Sequence, residues 1–211
     1  MSLEMINVSK EIHGQTLLKD INVCIENGSC CGFIGRNGCG KTMLLRAAAG
    51  YMSVNGTVRW KGKLIGNGKF IKKAGLIIGE TDLIGDLSGL NNLKALAEIN
   101  NIIDDERIVD VLKIVGLFEA KDKKYRKYSL GMKQRLRIAQ AIMEYPDILI
   151  LDEPFNGLDK DGCKSITNVI LTMKEEGTTI ILTSHNDRDI EKLCDKVYEM
   201  DNGEIIGGVS K

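Results

Sequence analysis

The stretch that most restricts what this chain can fold into is Gly35-Arg36-Asn37-Gly38-Cys39-Gly40-Lys41-Thr42. It is entered from the uncharged run Cys31-Gly32-Phe33-Ile34 and left through Met43-Leu44-Leu45 and further helix formers ending at Gly50. An apolar run, a loop with three glycines and a helical stretch in that order predict a strand, a phosphate-binding loop and a helix. The spacing Gly-x-x-x-x-Gly-Lys-Thr lets backbone N–H groups curl around a polyphosphate at contact distance, which side chains would block. The helix that follows aims its positive end at the same anion. Gly35 through Met43 are therefore expected to surround a nucleotide's polyphosphate, with Lys41 reaching the β- and γ-phosphates and Thr42 ligating Mg²⁺.

At 211 residues the chain has room for an ample core in one domain or two small ones. Its 29 Lys+Arg balance 29 Asp+Glu, so no global field draws it to nucleic acid or to an anionic membrane. The six cysteines, Cys24, Cys30, Cys31, Cys39, Cys163 and Cys194, contain no Cys-x-x-Cys pair and read as reduced thiols of a cytosolic protein. No uncharged run approaches the ~20 apolar residues of a bilayer span, and the basic-then-apolar start of a signal peptide is absent. The expectation is a soluble chain that can still attach peripherally to a membrane partner.

Glu4 to Ile12 and Leu17 to Glu26 read as strands separated by a turn at His13-Gly14-Gln15. Asn27-Gly28 reads as a hairpin turn closing the second. Gly56 to Trp60 and Leu64-Ile65 suggest another short hairpin, and Ala74 to Ile78 a buried strand. From Leu90 to Gly116 apolar residues recur at helical spacing, with Asp104 as an N-cap and Gly116 as a stop. A further helix is expected from about Gly131 to Met143, ended by Pro146. Strands then return at Ile148–Leu151, Thr179–Thr183, Val197–Met200 and Glu204–Ile206, with helices at Asp161–Lys174 and Asp187–Leu193 between them. Apolar strands alternating with helices predict a parallel sheet covered on both faces.

Asp152 and Glu153 end the run Ile148-Leu149-Ile150-Leu151, at the carboxyl edge where open α/β sheets bind ligands. Asp152 is expected to hold Mg²⁺. Glu153, on the other face of the pleat, is expected to polarise an attacking water.

These segments, together with Tyr128-Ser129-Leu130-Gly131-Met132-Lys133-Gln134-Arg135, Gly157-Leu158-Asp159 and Ser184-His185, resemble the nucleotide-binding subunit of an ABC transporter over essentially the whole chain. The variant around Ser129 is most similar to that of bacitracin- and lantibiotic-type peptide exporters. The resemblance implies an α/β ATPase of the P-loop, ABC type: a mixed sheet core with an N-terminal antiparallel β part and an inserted helical subdomain. Residues 1–84 and 146–211 would form the core and 85–145 the insert, within one domain. It also implies two ATP molecules buried in a head-to-tail dimer, where Ser129 and Gly131 of one subunit close on the nucleotide held by the other. Asp159 would link the two sites, and His185 would contact the γ-phosphate.

The implied partners are a second ATPase subunit, identical or different, and an integral membrane permease on whose cytoplasmic side the chain would sit; no nucleic acid is expected. The rival reading is a soluble ABC ATPase without a transport partner, acting in cofactor assembly or on nucleic acid. Leu130 and Met132 depart from the family's Ser-Gly-Gly-Gln signature. Where the family has a glutamine, this chain has Gly79 followed by Glu80, which could serve Mg²⁺ instead. His13 falls where relatives carry an adenine-stacking aromatic. The basic run Lys121, Lys123, Lys124, Arg126, Lys127 reads as a solvated face, or else lies near the membrane or steers ATP.

Overall fold

A computed structural model describes residues 2–79, 82–185, 190 and 193–210. Its first sheet is antiparallel, with β1 (Leu3–Ile12), β2 (Gln15–Ile25), β4 (Asn55–Trp60) and β5 (Lys63–Ile65) in the order β2-β1-β4-β5. The second holds β3 (Cys30–Ile34), β6 (Ala74–Ile77), β7 (Ile148–Leu151), β8 (Thr179–Ser184), β9 (Lys196–Asp201) and β10 (Glu204–Ser210) in the order β10-β9-β3-β8-β7-β6. All pairs in this sheet are parallel except β9–β10. The chain thus has the expected mixed-sheet, P-loop architecture.

Hairpins form where two successive residues take positive φ, the geometry of a type I′ turn that matches strand twist. His13 and Gly14 (φ 50° and 78°) join β1 to β2, Lys61 and Gly62 (48° and 78°) join β4 to β5, and Asn202 and Gly203 (45° and 79°) join β9 to β10. Asn27-Gly28 does not make the expected hairpin. Only Gly28 has positive φ, and the chain crosses there from the first sheet to β3 in the second. Gly28 N–H donates instead to Thr179 Oγ1 at 3.1 Å.

The large sheet is buried on both faces, as its apolar strands require. On β7, Ile148 and Ile150 pack into one core with Phe33, Ile181 and helix α1 (Lys41–Ala49), beneath the antiparallel sheet. Leu149 and Leu151 face the opposite core. That core is shared with α2 (Gly89–Asn100), α3 (Asp105–Ile114), α4 (Leu130–Ile142) and α5 (Lys160–Glu175). Ser88, Asp104, Ser129 and Asp159 cap α2, α3, α4 and α5 in turn, each side chain accepting a hydrogen bond from a first-turn N–H. Asp104 is therefore the expected cap, and Gly116, with φ 71°, follows the last turn of α3. The Asp187–Leu193 helix falls mostly outside the described residues.

β6 is an edge strand, half-buried at Ala74 and Leu76, rather than buried throughout. Helix α4 lies so close to it that a Cβ on Gly75 would fall on the Ala141 carbonyl oxygen and crowd Leu149. Both neighbours are core groups, so Gly75→Ala is expected to cost about 1–3 kcal/mol. Thermal unfolding should show a Tm lower by roughly 2–4 °C for each kcal/mol lost in a chain of this size; an unchanged Tm would contradict the close approach.

The thiols are buried or dispersed. A hydrogen bond with Cys194, whose Sγ lies 3.4 Å away, together with burial, pushes the Cys30 thiol well up. Burial does the same for Cys31. Neither is poised to act as a thiolate.

Candidate functional site

Strand β3 delivers the chain into the loop at Gly35, and α1 begins at Lys41. Gly40, at φ 110°, turns the backbone into the helix, and a Cβ on it would lie 3.0 Å from the Leu17 carbonyl oxygen. A side chain there would be both strained and obstructed. Asn37, Gly38, Gly40, Lys41, Thr42 and Met43 line a cavity of about 490 Å³, closed on the other side by Asp152 and Glu153. Gly35 and Arg36 face a neighbouring cavity of about 460 Å³ together with His185. Cys39 is buried beneath the loop.

The acids arrive from the end of β7. Asp152 Oδ2 accepts from Thr42 Oγ1 at 2.7 Å and from Gly79 N at 3.2 Å, while Oδ1 accepts from Thr183 Oγ1 at 2.8 Å. Three donors thus fix the carboxylate beside the first turn of α1. Glu153 does not occupy the opposite face of a pleat, because the strand has already ended at Leu151 and Glu153 takes φ 49°. That turn brings its side chain to the same cavity. Glu153 Oε1 lies 3.9 Å from Lys41 Nζ, and Oε2 is 2.8 Å from His185 Nδ1 and accepts from His185 N at 3.3 Å. Lys41, only 6% exposed, donates to the carbonyls of Gly35 at 2.6 Å and Arg36 at 3.2 Å.

Two supporting residues were not singled out from the sequence for these contacts. Thr183 is fully buried on β8, next to β7, and besides holding Asp152 accepts from Glu153 N at 3.0 Å. Gln134, buried on α4, donates to Pro154 O at 3.0 Å and ties that helix to the turn carrying Glu153. A polar residue directly after the apolar run Ile180-Ile181-Leu182, at the carboxyl end of a buried strand, is the signal that could have found Thr183.

Ser129 and Gly131 lie elsewhere. With Leu130, Gly157, Leu158 and Asp159 they line a cavity of about 530 Å³ that shares no residue with the loop cavity. Ser129 Oγ accepts from Met132 N at 3.3 Å; the residue is exposed, and Leu130 is 68% exposed. Gly131 packs against the Gly157 carbonyl, and Asp159 accepts from Gly162 N at 2.9 Å and pairs with Arg135 at 3.7 Å. The start of α4 and the Gly157–Asp159 turn thus form one outward-facing unit.

His13 sits exposed at the tip of the β1–β2 turn and does not line the loop cavity; Gln15, Thr16 and Leu17 do. Glu80 lies outside the described residues. The basic run is a surface threaded with ion pairs, Lys121 with Asp122 at 3.1 Å and Arg126 with Asp86 at 2.9 Å among them. Hard oxygen donors from Thr42 and Asp152, held together next to a loop of backbone N–H groups, fit a Mg²⁺–polyphosphate.

The ABC transporter family model matches residues 18–156, from the second strand through the acids that follow β7. The chain belongs to the ABC transporter family. This ABC transporter ATP-binding subunit is 43% identical, over 96% of its length and 94% of the relative's, to an uncharacterized ABC transporter ATP-binding protein of Bacillus subtilis, YybJ. It is 37% identical to the bacitracin transport ATP-binding protein BcrA of Enterococcus faecalis, covering 99% of this chain and 69% of that one. It is 34% identical to the lantibiotic transport ATP-binding protein SrtF of Streptococcus pyogenes, covering 97% and 89%. A solved dimeric, post-hydrolysis ATP-binding cassette bound to ADP and phosphate, MJ0796, shares the fold at TM-score 0.90 and 21% identity, covering 99% of this chain and 98% of that one. Among the described residues no helix is long and apolar enough to cross a membrane.

Proposed function

We propose that this ABC subunit hydrolyses MgATP in a two-subunit sandwich and drives a separate membrane permease that exports a peptide antibiotic. The observation that carries the reading is the division of one chain into two outward-facing half-sites. Lys41, Thr42, Asp152, Glu153 and His185 converge at one; Ser129, Gly131 and Asp159 form the other. A capped helix start with free N–H groups and an exposed hydroxyl is an anion site that lacks a ligand within its own chain. Head-to-tail pairing of two copies joins each half-site to its complement.

In that arrangement the backbone of residues 35–43 cradles the phosphates and Lys41 moves from the Gly35 and Arg36 carbonyls to the β- and γ-phosphates. Thr42 and Asp152 hold Mg²⁺, which when bound offsets phosphate charge. Glu153 accepts the proton of the water that attacks in line, and His185, hydrogen-bonded to Glu153, sets the γ-phosphate. Gln15, Thr16 and Leu17, which line the loop cavity, would face the nucleoside, with His13 at the tip of the same hairpin. The export assignment comes from the bacitracin and lantibiotic relatives.

The test has two measurements. The purified chain in MgATP is expected to hydrolyse ATP and to double its mass by light scattering. The subunit isolated from membranes is expected to carry a polytopic protein with it. A chain that binds ATP only as a monomer would overturn the sandwich. Recovery without a membrane protein would favour the soluble ATPase reading.

A further inference from the structure

Equal totals of acid and base conceal an uneven surface. The β4–β5 hairpin and the connection from β5 to β6 enclose a concavity of about 690 Å³, away from both nucleotide half-sites, and six of its lining residues are Arg59, Lys61, Lys63, Lys69, Lys72 and Lys73. Among the described residues Asp147 is the one acid in the lining, and it pairs with Lys61 at 3.0 Å. Among the described residues none of the other five has a carboxylate partner. Because the whole chain is neutral, the excess of base on this face is balanced by an excess of acid over the rest of the chain.

The same face exposes large apolar groups. Phe70 is 50% exposed, Leu64 49% and Tyr51 61%, with the Tyr51 and Phe70 rings in contact at 5.2 Å between centroids. Lys63 lies on β5, an edge strand, where lysine discourages edge-to-edge pairing. That account does not extend to Lys69, Lys72 and Lys73, which follow the strand, nor to the aromatic pair.

We propose that this face docks on a bilayer surface bearing anionic phospholipid headgroups. Lysine ammoniums on flexible stems meet lipid phosphates, while Phe70, Tyr51 and Leu64 enter the boundary between headgroups and acyl chains, where aromatic side chains are favoured. Lysine outnumbers arginine five to one in the concavity, and the Phe70 ring is engaged by Tyr51 rather than offered as a free face for a base. Both features favour a headgroup layer over nucleic acid, which is read by stacking platforms and bidentate arginine. The subunit would carry its own weak membrane attachment, independent of permease and of nucleotide.

The test floats the purified full chain with phosphatidylcholine vesicles containing phosphatidylglycerol, and with phosphatidylcholine alone. Binding is expected only to the anionic vesicles and should weaken as salt shortens the screening length. Each lysine near such a surface contributes roughly fivefold in affinity, so Lys63→Glu/Lys72→Glu/Lys73→Glu is expected to lose on the order of 100-fold. Its basal ATP hydrolysis and Tm should stay at wild-type values, which separates lost docking from lost folding and from failure of the ATPase reading. Lys121→Glu/Lys123→Glu/Lys124→Glu, the same charge change on the other basic stretch, should retain vesicle binding. Equal binding to neutral vesicles, equal loss in both triple variants, or displacement by a single-stranded oligonucleotide would overturn the proposal.

Discussion

Glu153→Gln is expected to lower ATP turnover by about 10²–10⁴-fold, the usual contribution of a general base, while leaving nucleotide binding intact. The substitution is unusually clean in this site. Glu153 reaches its position through backbone features that glutamine keeps: the left-handed φ of 49° and the N–H bond to Thr183 Oγ1 at 3.0 Å. The side chain keeps its length and one acceptor oxygen toward His185, so what disappears is the charge beside Lys41 and the capacity to take a proton. Asp152, Thr42 and Thr183 bond to one another without it. Single-turnover hydrolysis and equilibrium binding of ATP should therefore separate by orders of magnitude. Wild-type turnover in this variant would remove Glu153 from the chemistry and leave His185 as the next group to test.

How far the sequence alone reaches is instructive at particular residues. The loop at Gly35–Thr42 and the strand Ile148–Leu151 are legible because their signals are local: a spacing tied to phosphate contact in the first, and an unbroken apolar run ended by acids in the second. Capping residues are equally local, and Asp104 could be named from its residue type and its place ahead of a run with helical spacing. Asn27-Gly28 misleads for the opposite reason. The dipeptide allows a hairpin but does not choose the strand's partner, and β3 pairs with β8, whose residues lie about 150 positions further along the chain. Long-range pairing of that kind leaves no mark at the turn.

The acids show the same divide within two residues. Their identity points to metal and water chemistry, yet the sequence places Glu153 on the far face of a pleat that stops before it. The contacts of Thr183 and Gln134 are not legible in the sequence because a single threonine or glutamine has many uses, and only the neighbouring strand or helix reveals which one applies. Arg59 and the lysines of the concavity at 61–73 are spread over a hairpin and a loop, and become one surface only when the chain folds.

Ser129→Glu is expected to abolish ATP-driven pairing and to reduce turnover by about 10²–10³-fold, with ATP affinity of the single subunit near wild type. Within the chain the change is mild. Loss of the serine cap on Met132 N costs about 1 kcal/mol, and a carboxylate at the N-terminal end of α4 recovers roughly 0.3–1 kcal/mol from the helix dipole. The residue is exposed and belongs to a cavity that shares nothing with the P-loop cavity, so the subunit's own nucleotide site is untouched. Across a sandwich the balance reverses, because the new carboxylate faces a triphosphate held by the partner subunit. Two like charges about 4 Å apart repel by roughly 4 kcal/mol at the effective dielectric of such sites, close to three powers of ten in the pairing equilibrium. Light scattering of Ser129→Glu in the Glu153→Gln background, with and without MgATP, reads the pairing directly, and a fluorescent nucleotide reads binding to the monomer. Undiminished pairing would mean that the start of α4 never meets the second subunit's nucleotide. Loss of ATP binding by the monomer would mean that the two half-sites are not separate.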